Sequence, residues 1–199
     1  MVIQWCLKGI SERPTFGDTE AEALLYSGIK SSWLFNNPTV PIELAIPTVQ
    51  GLLGLTALLT HVNNYAAVRT TSPYISLSAG VVLRDTAVGT RKFPAWRSAA
   101  DFATEWGRSP GYVYRLWTIV SPKPAPEIMN VSDELRNLNL FDAAWKYQKQ
   151  GEVTAKLVIP PVQIEYVMKV GSDRIPTGFR RDNTRFVKPE TISNLLVEI

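Results

Sequence analysis

The chain has 199 residues, 45% of them hydrophobic and 20% charged, with a mean hydropathy of −0.02. That is enough to bury a core without staples, and it fits neither a disordered chain nor a membrane protein. The formal charge is +3 and the pI about 9.0, a mild excess. One cysteine (Cys6) and one histidine (His61) exclude an intrachain disulfide, a CxxC pair and a four-ligand N/S zinc site. Any Ser-His or Cys-His chemistry must therefore run through His61, and no metal is expected. MVIQWCLKG lacks a basic stretch followed by an apolar one, so no signal peptide is expected.

In chain order, residues 1–20 read as irregular, with Arg13, Pro14 and Gly17 marking a loop. Ala21–Tyr26 (AEALLY) reads as the start of a strand entering Gly28. Leu44–Thr60 carries no charge over 17 residues, yet it is short for a membrane span and contains Pro47, Gln50, Gly51 and Gly54. The leucines at 52, 53, 55, 58 and 59 predict one central buried helix over 48–65, and no membrane association. Tyr74–Ser78, after Ser72-Pro73, alternates as a strand does. Residues 84–94 read as loop. A helix is predicted over 96–106, with Trp96, Ala99, Ala100, Phe102, Ala103 and Trp106 on one stripe. Tyr112–Val120, β-branched and aromatic, predicts a strand closed by Pro122, Pro124 and Pro126. A helix follows from Ser132 to about Lys149, opened by Ser132-Asp133-Glu134. Strands over 152–159 and 163–170 then flank Pro160-Pro161.

Helices early and strands late give an α+β class, and without a repeat or linker the chain reads as one domain over 1–199. Lys169–Lys188 carries six Lys/Arg against Asp173 and Asp182. This basic extension reads either as a solvated face or as a surface for phosphates or an acidic partner. His61, near the end of the central helix, reads as a dipole-favoured C-terminal histidine, and Cys6 as an ordinary buried thiol. Neither GxGxxG nor GxxxxGK[ST] occurs, which argues against Rossmann and P-loop nucleotide binding. Ser76 and Ser78, two apart on a strand, share one face. Glu152 stands at the mouth of a strand, the usual place of a silent solvated carboxylate as well as a usable one.

Read together, these segments resemble the mono-ADP-ribosyltransferase toxin family of the cholera-toxin-like Arg/Ser-x-Ser/Glu class. The resemblance rests on Ser72-Pro73-Tyr74-Ile75-Ser76-Leu77-Ser78, Ala99-Ala100-Asp101-Phe102-Ala103 and Val113-Tyr114-Arg115-Leu116, followed by Gln150-Gly151-Glu152-Val153 and Ile159-Pro160-Pro161. It is strongest over 21–170. It implies two small antiparallel or mixed sheets, flanked by helices, around a cleft for NAD as co-substrate. The family's L-Y-R-G strand is matched by Leu25-Tyr26-Ser27-Gly28, with Ser27 where a phosphate-holding Arg is expected. Arg69 and Arg13 are then candidates to replace that Arg.

By the resemblance, Glu152, Gln150 and Ser76 are catalytic. Ser78, Tyr74, Ser27, Tyr26 and Arg69 bind the cofactor, and Tyr147 and Trp145 face the acceptor. Breaking the nicotinamide–ribose bond builds oxocarbenium-like charge that a fixed carboxylate such as Glu152 stabilises. Gln150 leans the acceptor away from arginine. The expected function is transfer of ADP-ribose to a nucleic acid or protein by a toxin or defence effector. It would act in the cytoplasm of its own cell or of a target cell, with an antitoxin or immunity protein as partner. An NAD glycohydrolase and a non-catalytic module of the same fold are the alternatives.

Overall fold

Residues 2–11, irregular by sequence reading, form one of the two longest strands among the described residues. In the computed structural model, which describes residues 2–79, 81–82, 91–92, 94–120, 128–130, 152–189 and 196–197, β1 (Val2–Ser11) pairs antiparallel with β6 (Gly111–Val120). The register runs unbroken from Val2 opposite Val120 to Ser11 opposite Gly111. The run Gln4-Trp5-Cys6-Leu7 is buried on both faces, so it lacks the clean alternation of a half-exposed strand. The loop signals Arg13 and Pro14 act only beyond its end, in a tight turn where Arg13 bridges Phe16.

The segment AEALLY is helical rather than extended. Residues Asp18–Ser27 form a helix, α1, not a strand. Asp18 and Glu20 occupy its first turn, where carboxylates favour a helix, and the Glu20 carboxylate accepts the Gly17 N–H at 2.8 Å. Ala21 and Leu25, four apart, are the buried contacts. Gly28 ends the helix at φ +80 and donates its N–H to the Leu24 carbonyl. A side chain there would also meet the Ile159 carbonyl.

After β2 (Ile29–Lys30) and α2 (Ser32–Asn36), the expected central helix is broken in two. α3 (Ile42–Val49) contains Pro47, and α4 (Leu55–Asn63) starts after Gly54, with a 3₁₀ turn between them. No helix among the described residues is long and apolar enough to cross a membrane. α5 (Tyr65–Val68) leads to β3 (Tyr74–Ser78), as predicted. β4 (Val81–Val82) and β5 (Arg91–Lys92) pair with each other. In α6 (Ala95–Ala103) the packed stripe is Ala95, Ala99, Ala100 and Ala103, whereas Trp96, Phe102 and Trp106 are exposed.

β7 (Ile128–Asn130) and β8 (Glu152–Lys156) follow. The expected 152–159 strand is cut at buried Leu157, which is left-handed at φ +61. Leu157 donates its N–H to Pro73 and accepts one from Ser31, both at 2.7 Å. These bonds hold the kink and pass the chain to β9 (Val158–Ile159), which pairs with β2. β10 (Ile164–Val170) and β11 (Pro176–Asp182) complete one end of the main sheet, and β12 (Leu196–Val197) pairs parallel with β1. The predicted helix over 132–149 lies outside the described residues.

The order of the main sheet is β11-β10-β6-β1-β3-β8-β7. The α+β class is as expected. As expected, there is more than one sheet, with the small β2–β9 and β4–β5 pairs beside the main one, and the main sheet is itself joined at a single β1–β3 residue pair, Leu7 opposite Ser78. One face buries Cys6, Leu77, Tyr114, Leu116 and Val153 with α1, and Leu7, Val113 and Val170 pack against α6. Four of the six cations in the 169–188 stretch are ion-paired: Lys169 with Glu12 and Asp18, Arg174 with Asp101, Arg180 with Asp182, and Arg181 with Glu22. Two of their guanidinium groups also lie over rings, Arg180 on Tyr166 at 4.0 Å and Arg181 on Phe179 at 4.7 Å. The charge of the basic extension is met mostly by carboxylates outside it, on α1, in the turn before α1 and on α6, with Asp182 its own contribution.

α6 rests on backbone. A Cβ at Gly9 would stand 2.1 Å from the Ala99 carbonyl oxygen, and one at Gly111 1.9 Å from that of Ala103. Neither obstacle is a side chain that can turn away. Gly9→Ala and Gly111→Ala are each expected to lower stability by about 2–3 kcal/mol, the upper range for overpacking, measured by urea unfolding. Gly51→Ala, with open space at its Cβ position, should stay within about 1 kcal/mol of the parent.

Candidate functional site

A groove opens where β1 and β3 part. Beyond the Leu7–Ser78 pair, Leu7, Lys8 and Gly9 line one side, Ser76, Leu77 and Ser78 the other, and Phe102 reaches in from α6. On the far side of β3, the β8 ladder sets Thr154 opposite Ser76 and Glu152 opposite Ser78. Glu152 thus begins the neighbouring strand in register with a groove serine. Thr154 is fully buried, and its hydroxyl has no hydrogen-bond partner among the described residues.

β3 is fixed at its entry. The Ser72 carbonyl accepts the Trp33 N–H at 2.9 Å, and Pro73 accepts that of Leu157. His61, on α4, lies directly behind this segment and is 4% exposed. Its Nδ1 is 2.6 Å from Ser72 Oγ and its Nε2 2.9 Å from Ser76 Oγ. Ser72 Oγ also accepts the Tyr74 backbone N–H at 3.2 Å. The rings of Tyr65 and Tyr74 enclose the imidazole at 5.3 and 5.7 Å between centroids.

Burial first, and the positive charge of Lys8 second, push the His61 pKa down to about 4. The imidazole is therefore neutral near pH 7, donating at one nitrogen and accepting at the other. One assignment gives every hydroxyl proton a direction: Ser72 donates to Nδ1, Nε2–H donates to Ser76, and Ser76 turns its own proton away from His61. His61 sits in the last turn of α4, as the sequence suggests, but the ring is enclosed rather than solvated, so burial and not the helix dipole governs its charge.

The remaining predicted residues fall in three groups. Ser76 and Ser78 line the groove, and Glu152 is in register with them. Tyr74 is buried beside His61 and donates its hydroxyl to the Gly54 carbonyl at 3.3 Å, which places it in the core. Tyr26 and Ser27 are on α1, not on a strand beside the serines. Ser27 donates to the Ala23 carbonyl of its own helix, and Tyr26 lies under Arg185. Arg69 and Arg13 are exposed and are not among the groove residues. Gln150, Trp145 and Tyr147 lie outside the described residues.

No family model matches the sequence, and no curated protein does either. Solved structures do. EcPltA superposes with a TM-score of 0.57 at 12% identity, over 97% of this chain and 90% of that one. A mutant of E. coli heat-labile enterotoxin superposes with a TM-score of 0.51 at 19% identity, over 96% and 81%. At such identities it is the fold that is shared. The chain has an ADP-ribosyltransferase-toxin-like fold.

Sequence reading does not single out Lys8, which lines the groove of this toxin-like fold, or the hydrogen bond of His61 to the groove serine Ser76. A signal for Lys8 was present. Cys6-Leu7-Lys8-Gly9 has the apolar, apolar, cation, glycine order of L-Y-R-G, and it lies on a strand, as Leu25-Tyr26-Ser27-Gly28 does not. His61 offered none, since its partners are 11 and 15 residues away.

The depressed His61 pKa has a stability consequence. Unfolded histidine takes up a proton near pH 6.5, whereas the folded one resists until about 4. Stability from this group is thus complete above pH 6.5 and is lost as pH falls toward 4, by about 3 kcal/mol in all. His61→Gln should remove that part of the pH dependence. Urea unfolding of both proteins at pH 7 and pH 4.5 checks it, since carboxylate effects cancel in the difference.

Proposed function

We propose that the chain is a mono-ADP-ribosyltransferase that takes ADP-ribose from NAD and places it on a macromolecular acceptor, as a toxin or defence effector. One observation carries the reading: in an ADP-ribosyltransferase-toxin-like fold, a strand cation and two serines line a groove, with Glu152 in register one strand away.

The roles follow from charge. Lys8 is the groove's cation and meets the pyrophosphate of the dinucleotide. An ammonium does so as a point charge rather than as a bidentate fork, so the dinucleotide is held less rigidly than by Arg. Ser76, held by His61, gives its proton toward the ribose or the carboxylate. The bond between ribose C1′ and nicotinamide breaks with its electron pair leaving on nicotinamide, and Glu152 stabilises the positive charge left on the sugar. The acceptor nucleophile then bonds to C1′ and releases its proton. Active in the cell that makes it, such an enzyme requires a neutralising antitoxin or immunity protein.

The test uses NAD labelled on the adenylate phosphate, a cell lysate as acceptor, and separate nuclease and protease digests. Glu152→Gln should lower label transfer by about 10²–10³-fold, the range for loss of one transition-state electrostatic group. Lys8→Ala should chiefly raise KM for NAD, and Lys8→Arg should restore or exceed the parent. Free ADP-ribose with no labelled macromolecule would identify a glycohydrolase instead. No NAD turnover by the parent or by Lys8→Arg would sink the enzyme reading.

A further inference from the structure

The exposed aromatic residues that begin at the groove have no role in the bond-breaking step. Phe102 lines the groove and is 41% exposed, and its ring lies 5.4 Å from that of Trp106, which is 63% exposed. Trp106 is presented by an unfavourable backbone: Glu105 and Trp106 are left-handed at φ +49 and +61, followed by Gly107 at φ +90. Glycine fills such a position without penalty, and a bulky aromatic residue does not. The turn is nonetheless rigidly tied. The Thr104 carbonyl accepts the N–H groups of Gly107, Arg108 and Ser109 at 3.0, 2.8 and 3.1 Å, and Trp106 donates its own to Asp101 at 2.8 Å. The chain holds a strained, solvent-facing indole in a fixed place.

The cations here differ from those of the C-terminal stretch. Exposed Arg108, two residues after Trp106, and exposed Arg97 on α6 take part in no ion pair among the described residues. Exposed aromatic faces on the same helix and turn as arginines outside any ion pair suit stacked bases and phosphates, because every base has a π-face and every linkage a negative charge. A protein acceptor would use the aromatic surface but would give these arginines no regular anion.

We propose that the Phe102–Trp106 ledge is the acceptor-docking surface of the transferase reading above, and that the acceptor is a single-stranded nucleic acid. One base stacks on Trp106, and the flanking phosphates meet Arg108 and Arg97.

The first measurement is anisotropy of fluorescent single-stranded DNA and RNA oligonucleotides with the full chain at several salt concentrations. Trp106→Gly should weaken binding by about tenfold or more. It should also melt at or above the parent temperature, since glycine accepts φ +61. Arg97→Ala with Arg108→Ala should flatten the salt dependence by about one log unit per arginine. In the labelled-NAD assay, Trp106→Gly should lose nuclease-sensitive label while hydrolysis of NAD to free ADP-ribose is unchanged. The proposal is overturned if parent and Trp106→Gly bind oligonucleotides equally, if Trp106→Gly melts well below the parent, or if the label is protease-sensitive and indifferent to Trp106. Oligonucleotide binding that depends on Trp106 without any NAD turnover would uphold the surface and refute the transferase reading.

Discussion

α6 lies on β1 and β6 by a close approach of backbone to backbone at Gly9 and Gly111, with Ala99 and Ala103 on its own side. Glycine within a strand marks such approaches. Everything at the groove inherits its position from this contact. Gly9 is itself a groove residue, Lys8 precedes it, and Phe102 is the α6 residue next to Ala103. α6 also packs on β3, so one short helix spans the place where the main sheet is joined by only one residue pair. The half-sheets part without separating because α6 holds both.

What the sequence disclosed follows from how local each signal is. β3, β6, α6 and β10 were legible because their pattern or propensity sits within a few consecutive residues. β1 is not legible because a strand buried on both faces shows no alternation, and Arg13, Pro14 and Gly17 just after it read as loop. α1 reads as a strand only if its alanines and first-turn carboxylates, which favour a helix, are discounted. Leu157 gave no warning: its left-handed kink is imposed by Pro73 and Ser31, both distant in sequence. The pairing of Ser76 and Ser78 on one groove wall is legible because residues two apart on a strand share a face, and Glu152 opens the strand that pairs with theirs. Lys8 and His61 come from the two elements whose extent was misjudged.

Charge is distributed by the same logic of partners. The 169–188 stretch is the most basic part of the sequence, yet its cations meet Glu12, Asp18, Glu22, Asp101 and Asp182. Several of these pairs are exposed, where an ion pair contributes about 0–1 kcal/mol, so their main effect is to cancel field rather than to hold the fold. The Tyr112 hydroxyl hydrogen bond, followed by the Lys169 ammonium, keeps Asp18 below the usual carboxylate range, so the Lys169 pair stays ionised at neutral pH. A run of basic residues in sequence is therefore poor evidence for a polyanion site until the acids that face it are known.

The groove shows the complementary arrangement. His61 is kept neutral by enclosure, with Lys8 opposing a second positive charge beside it. A protonated imidazole would donate at both nitrogens, and Ser72, already accepting from Tyr74, would lose the acceptor for its own proton. Neutrality keeps the chain of hydrogen bonds running one way, from the Tyr74 backbone through Ser72 and His61 to Ser76. The groove then carries its positive charge on Lys8, at the β1 wall, and meets β3 with an uncharged hydroxyl. Under the proposed reaction a dinucleotide would need that separation: its pyrophosphate is anionic throughout, whereas the ribose becomes cationic only while the glycosidic bond breaks. A second fixed cation on the β3 side would oppose that step, which makes a buried neutral histidine the appropriate support for a serine at this position.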